Sequence, residues 1–198
     1  MAPDGWQNAT RPAHLQRMTT LRRDRFGQIA EEVFEPLQRY LRRRVTPQDA
    51  EDLLSEVLTT IWRRIDDAPS DRVLPWSYGI ARRVLANHRR SSRRRLRLVE
   101  RLASEPPTQH PDVADNQPDP EVGRALRSLP HADQEIIRLW AWEQLEPREI
   151  AVVLGMTPNA ASLRLSRGRK KLAAALARQD GEPSGHRRGK DPEGHNDD

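Results

Sequence analysis

Two groups of charged residues hold most of the chemistry in this sequence. Between Arg82 and Arg97 stand eight arginines and His88, with no acidic residue among them. Like charges at helical spacing repel by roughly 0.2–0.5 kcal/mol per pair, so such a run is relieved by a polyanion. Arginine also suits phosphate forks and base edges better than lysine. Upstream, Asp49, Glu51, Asp52, Ser55 and Glu56 crowd into two turns with no basic residue between them. Acidic faces are commonly just solvated, but one lying so near an arginine run supplies a second surface of opposite sign. A third group, Asn159, Ser162, Leu163, Arg164, Ser166, Arg167, Arg169, Lys170 and Lys171, puts short polar side chains ahead of cations, as major-groove reading and phosphate contact require. Trp76 and Tyr78 precede the arginines and are read either as core or as stacking surfaces for unpaired bases.

The elements that must position these residues are helices, and the fold class is all-α. Ile29, Val33, Phe34, Leu37, Tyr40, Leu41 and Val45 recur at helical spacing, with Pro36 expected to kink or divide the helix. Thr46 and Pro47 read as an N-cap and first helical residue. Ala50, Leu53, Leu54, Val57, Leu58, Ile61, Trp62 and Ile65 then form a core stripe behind the acidic face. The helix should stop at the Asp66-Asp67-Ala68-Pro69 string, which is a stop signal rather than a carboxylate pair. Ile80, Val84 and Leu85 carry the arginine run on their own helix.

Residues 103–122 (ASEPPTQHPDVADNQPDPEV) hold five prolines, five acids and no lysine or arginine, and read as a linker. Beyond it, Pro147 to Pro158 has the pattern of a helix-turn-helix. Ile150 and Leu154 point inward, Ala151 is small at the helix crossing, Gly155 makes the turn, and Thr157 caps the helix begun by Pro158. Two small helical domains follow, residues 26–102 and 123–177, with polar ends at 1–25 and 178–198 read as a disordered arm and tail. An acidic connector beside basic helices allows a closed arrangement of the units as well as an extended one.

Composition agrees. Hydrophobic residues make up 35% and charged residues 32% of 198, too few apolar residues for one large core. The net charge is +5 and the isoelectric point about 10.3, which favours a polyanionic partner. There is no cysteine, and the six histidines have no ligand spacing, so no metal or cofactor is expected. No nucleophile–base set, glycine-rich phosphate loop or paired carboxylate is present, and no catalytic residue is expected. Without a long apolar run, a cytoplasmic protein with no membrane contact is expected.

The strings DAEDLLSEVLTTIW, PWSYGIARRVLANHRR and LPHADQEIIRLWAWEQLEPREIAVVLGMTPNAASLRLSRGRKKL, in that order about the linker, resemble bacterial RNA polymerase sigma factors of the two-domain extracytoplasmic-function (ECF) type. The resemblance implies a second sigma domain that binds core polymerase and melts the minus-ten element, and a fourth that reads the minus-thirty-five element. Carried over residue by residue, it puts Asp49, Glu51, Asp52, Leu53, Ser55 and Glu56 on the helix that meets core polymerase. It puts Arg82, Arg83, Asn87, His88 and Arg90 on the helix facing minus-ten DNA, with Trp76 near the melting surface. Ser162, Leu163, Ser166 and Arg167 fall on recognition positions, and Arg164, Arg169 and Lys170 on phosphate contacts. The implied partners are the polymerase beta-prime and beta subunits, promoter DNA and, as the family admits, an anti-sigma protein. Ser55 stands where the family often has Gln, Arg83 where Asn is common, and Glu146-Pro147 where a Ser or Thr cap is usual. The chief alternative is a stand-alone helix-turn-helix regulator; a nuclease or a protein-only adaptor explains less of the chain.

Overall fold

The computed structural model describes residues 13–102 and 119–180. Among them are seven α-helices, a short 3-10 turn and no strand. The helices fall into two units, α1 (Ala13–Arg42), α2 (Pro47–Arg63) and α3 (Val73–Leu102), then α4 (Pro120–Arg127), α5 (His131–Ala141), α6 (Pro147–Leu154) and α7 (Pro158–Asp180).

In the first unit each helix contributes one apolar stripe. Ile29, Val33, Leu37, Tyr40 and Leu41 of α1 meet Ala50, Leu53, Leu54, Val57 and Ile61 of α2 and Tyr78, Ile80, Ala81, Val84 and Leu85 of α3, all buried. Fully burying one such aliphatic side chain is worth about 1.5–3 kcal/mol, so this stripe rather than helix propensity holds the unit. Thr46 caps α2 as its sequence predicts: its Oγ1 accepts the Asp49 N–H at 3.2 Å and its hydroxyl donates to the Asp49 carboxylate at 2.8 Å. The 3-10 turn Ile65–Asp67 ends the α2 stripe with Ile65 buried.

Three expectations for α1 are corrected, the first being that Phe34, placed on the apolar stripe by its spacing, is 44% exposed and lies off the buried side. The helix runs unbroken through Pro36. The proline therefore does not divide the helix: the stripe is buried on both sides of it, and the carbonyl that loses its partner belongs to exposed Glu32. The helix also starts at Ala13, so residues 13–25 are not a disordered arm. Arg22 donates to the Trp62 carbonyl at 3.3 Å and pairs with Asp66 at 2.9 Å, Arg25 donates to the Ala68 carbonyl at 2.5 Å, and Phe26 packs edge-on against Trp62. These anchors are cationic side chains, which a search for apolar periodicity passes over.

In the second unit, Asp119 caps α4 by accepting the Glu121 N–H at 2.8 Å, so this unit begins at Asp119, earlier than residue 123. The α6 start, expected to be weakly capped, is closed from the other direction: the Glu149 carboxylate accepts the Glu146 N–H at 2.8 Å. Gly155 has φ 66°, the left-handed conformation that ends α6 and that any residue with a Cβ resists. Thr157 Oγ1 accepts the Ala160 N–H at 3.2 Å to open α7. That helix continues to Asp180, past the expected boundary at 177. The arm before residue 13, the linker over 103–118 and the tail after 180 lie outside the described residues.

The two units pack against each other. A Cβ added to Gly79 of α3 would lie 3.8 Å from the Val153 Cα and carbonyl oxygen of α6, and a buried polar cluster joins the end of α1 to α5 and the turn after it.

Candidate nucleic-acid and polymerase interfaces

Because α2 buries Ala50, Leu53, Leu54, Val57 and Ile61, its opposite side presents Glu51, Asp52, Ser55, Glu56 and Thr59 to solvent. Within the residues expected there, the structure sorts three kinds. Leu53, 3% exposed, is core and not part of the surface: it follows Ala50 by three and precedes Val57 by four, on the buried stripe. Asp49 is half-buried and spends its carboxylate on the Thr46 hydroxyl, and Ser55 donates its hydroxyl to the Glu51 carbonyl at 3.1 Å. Glu51, Asp52 and Glu56 remain as exposed carboxylates, with Glu51 loosely paired to Arg42 at 3.9 Å.

On α3 the apolar stripe leaves Arg82, Arg83, Asn87 and Arg90 exposed at spacings of one, four and three, so they share one face. Arg90 donates to the Asn87 side-chain carbonyl. His88 is half-buried at the edge, its Nε2 4.0 Å from Asp49, where α3 meets the start of α2. Trp76 is half-buried against the core, with the Arg64 guanidinium 5.8 Å from its ring centre. Tyr78 resolves to core at 2% exposure. Arg89 departs from the rest of the run: it is half-buried, and burial holds its guanidinium below the ordinary value while Glu135 and Tyr40 oppose the shift.

On α7, Ala161, Leu165, Gly168 and Ala175 are buried, with Leu172 and Leu176 packed beside them. The other side presents Asn159, Ser162, Leu163, Ser166, Arg167 and Lys170, spaced as one continuous helix face. Leu163 is half-exposed there, an apolar side chain suited to a thymine methyl. Arg164 is exposed beside this face. Arg169, exposed, stacks its guanidinium 4.5 Å from the Trp140 ring centre, so part of its work is to brace α7 on α5. Lys171 pairs with the nearly buried Asp133 carboxylate at 2.6 Å and braces the same two helices. That role was missed in the sequence, because Lys171 reads there as one more cation in a basic run.

A family model of Sigma-70 region 2 matches residues 30–95 and one of Sigma-70, region 4 matches residues 120–172. The ECF RNA polymerase sigma factor SigF of Caulobacter vibrioides is 32% identical over 153 residues, covering 73% of this chain and 82% of its own. The chain belongs to the ECF sigma factors. The sigma factor CarQ of Myxococcus xanthus is likewise similar to it, 33% identical over 168 residues that span 77% of this chain and 94% of CarQ. The fold of this sigma factor is shared with RpoE of Bartonella quintana, solved in complex with the anti-sigma factor NepR (TM-score 0.57, 21% identity, 77% of this chain and 96% of that one). It is shared also with CnrH, solved with the cytosolic domain of CnrY (TM-score 0.53, 24% identity, 77% and 88%). As a sigma factor the chain binds RNA polymerase core and directs promoter-specific transcription. Among the described residues no group of side chains is placed to hold a metal ion, and no helix is long and apolar enough to cross a membrane.

Proposed function

We propose that the sigma factor divides its work among three helix faces. The carboxylates Glu51, Asp52 and Glu56 of α2 meet core polymerase. Arg82, Arg83, Asn87 and Arg90 of α3 hold the separated minus-ten strand, with Trp76 as the neighbouring ring for a base and His88 at the rim. Ser162, Leu163, Ser166 and Arg167 of α7 read the minus-thirty-five duplex, with Arg164, Lys170 and the Trp140-braced Arg169 on its phosphates. The observation that carries this reading is that each helix buries one side in a core and leaves exposed a face of distinct chemistry: acidic on α2, cationic on α3, mixed polar and cationic on α7.

The charges suit the tasks. Holding a melted strand calls for cations along the backbone and flat or polar surfaces for bases. An acidic helix would be repelled by that strand and is better spent on a protein surface. Nothing in the task calls for a catalytic residue, and its setting is the cytoplasm, where polymerase works. An anti-sigma protein fits as a further partner, on the precedent of the two solved relatives.

The test is co-elution of the full chain with core polymerase, followed by titration of the assembled enzyme onto promoter DNA at several salt concentrations. Stable co-elution and a log–log salt slope of about −0.9 for each phosphate contact are expected. Failure to co-elute, with duplex DNA bound by the chain alone, would replace this reading with that of a stand-alone regulator.

A further inference from the structure

The first turns of α1 make contacts that the three reading faces do not explain. The region 2 match begins at residue 30, yet α1 starts at Ala13. Its residues 22–26 close over the far end of α2 and the connector that leads to α3. Arg22 divides its guanidinium between the Trp62 carbonyl at 3.3 Å and the Asp66 carboxylate at 2.9 Å, and lies 5.5 Å from the Trp62 ring centre. Arg25 donates to the Ala68 carbonyl at 2.5 Å. Phe26 meets the Trp62 ring edge-on, with ring centres 5.4 Å apart.

Between the two residues held this way, Asp67 accepts from Arg64 Nε at 3.1 Å, and the Arg64 guanidinium lies 5.8 Å from the Trp76 ring centre. The route from α1 to the ring is therefore continuous. Arg22 and Arg25 fix residues 66 and 68, Asp67 fixes Arg64, and Arg64 flanks Trp76. Ile65 and Ala68 are buried, while Ser70, Asp71 and Arg72 face solvent. An exposed pair such as Arg64–Asp67 contributes little on its own and would not hold Arg64 in one place. Hydrogen bonds from a charged donor are stronger, and here they come from α1. The acidic face of α2 is remote from this brace: Asp52 precedes Trp62 by ten residues, about 15 Å along the helix.

We propose that Arg22 and Arg25 are positioning residues for the melted strand: they hold the connector between α2 and α3, and through Arg64 the Trp76 ring, in the pose that receives an unpaired base. The inference rests on the reading of Trp76 given above. A ring fixed before the strand arrives needs no ordering when a base stacks on it, so the strand is held more tightly without any new contact to DNA. Both guanidinium groups are directed at protein oxygens and act at one remove from the nucleic acid.

The assay uses holoenzyme assembled from the full-length chain and core polymerase, on a promoter fragment that this holoenzyme selects from randomised duplex DNA. Arg22→Met and Arg25→Met keep the apolar stem and remove the donors. Each should lower open-complex occupancy, read by permanganate, about tenfold, the scale of one lost hydrogen bond from a charged donor. Arg25→Lys keeps a donor for the single Ala68 carbonyl and should stay within about threefold. Arg23→Met, exposed between the two, should stay within about twofold. Core binding should hold within about twofold throughout, and the log–log salt slope should not move, whereas a lost phosphate contact would flatten it by about 0.9. Trp76→Ala should lower occupancy by itself, and adding Arg25→Met to it should cost less than about twofold more, because the arginine acts through the ring. Full occupancy in Arg22→Met and Arg25→Met, losses that multiply with that of Trp76→Ala, or a flattened salt slope would each overturn the brace and leave Trp76 as the base platform. So would losses matched by equal losses in core binding and in the urea midpoint, which mark a general role in folding. Full occupancy in Trp76→Ala would overturn the reading of the ring itself, and the brace with it.

Discussion

Replacing Asp52 by Arg gives the sharpest separation between folding and polymerase binding. Asp52 sits on the exposed side of α2, three residues after Asp49 and four before Glu56, and makes no side-chain hydrogen bond or ion pair among the described residues. An arginine there gains two acidic neighbours at helical spacing, each worth about 0.2–0.5 kcal/mol, and loses a little against the positive start of the helix. Folding stability should therefore change by no more than about 0.5 kcal/mol. At a polymerase contact the same change replaces attraction by like-charge repulsion, and reversing a charge close to its partner costs about 3 kcal/mol, or roughly a hundredfold in affinity. The assay is binding of labelled chain to core polymerase, run beside a urea unfolding curve of the same preparation. Undiminished binding with an unchanged unfolding midpoint would refute the assignment of this face. Lost binding with an equally lowered midpoint would show that Asp52 holds the fold, contrary to its exposure.

Arg83→Ala and Asn87→Ala should slow open-complex formation while leaving core binding within about twofold, measured by permanganate reactivity of the melted strand and by co-elution; equal losses in both would sink the α3 assignment. Arg167→Ala should weaken binding to a minus-thirty-five duplex and flatten its salt slope only if Arg167 touches phosphate; an unchanged slope with lost sequence discrimination would mark it as a base contact. Lys171→Met strands the nearly buried Asp133 carboxylate and should lower stability by about 1–3 kcal/mol in denaturant unfolding, an effect absent in the Lys171→Met, Asp133→Leu double variant. Gly155→Ala should cost about 1–2 kcal/mol at the left-handed turn, read as a lowered melting temperature of the second unit.

Much of the secondary structure could be read from local rules. The stripe from Ala50 to Ile61, the Thr46 and Thr157 caps and the Gly155 turn each depend on residues within a few positions of one another, and each is found in place. The same locality explains the reading faces: once the buried stripe of a helix is known, geometry assigns the residues opposite it to solvent. Where expectation failed, the deciding partner lay elsewhere in the chain or on an unexamined neighbour. The first turns of α1 are tied by Arg22 and Arg25 to Trp62, Asp66 and Ala68, some forty residues away. Leu53 was placed on the polymerase surface through a family position, although its own spacing assigns it to the core.

What the sequence determined by itself is the helical fold class, the order of two basic DNA-directed units and the sign of charge on each exposed face, because helical period and charge are written residue by residue. What only the tertiary structure decided is which charged residues are spent inside the molecule. Lys171 and Arg169 read in the sequence as DNA-side cations, yet one pairs with Asp133 and the other stacks on Trp140, while the buried pair of Arg44 and Glu143 carries no signal there at all. Their partners lie between 29 and 99 residues away, and a charge declares its role only when another surface removes it from water.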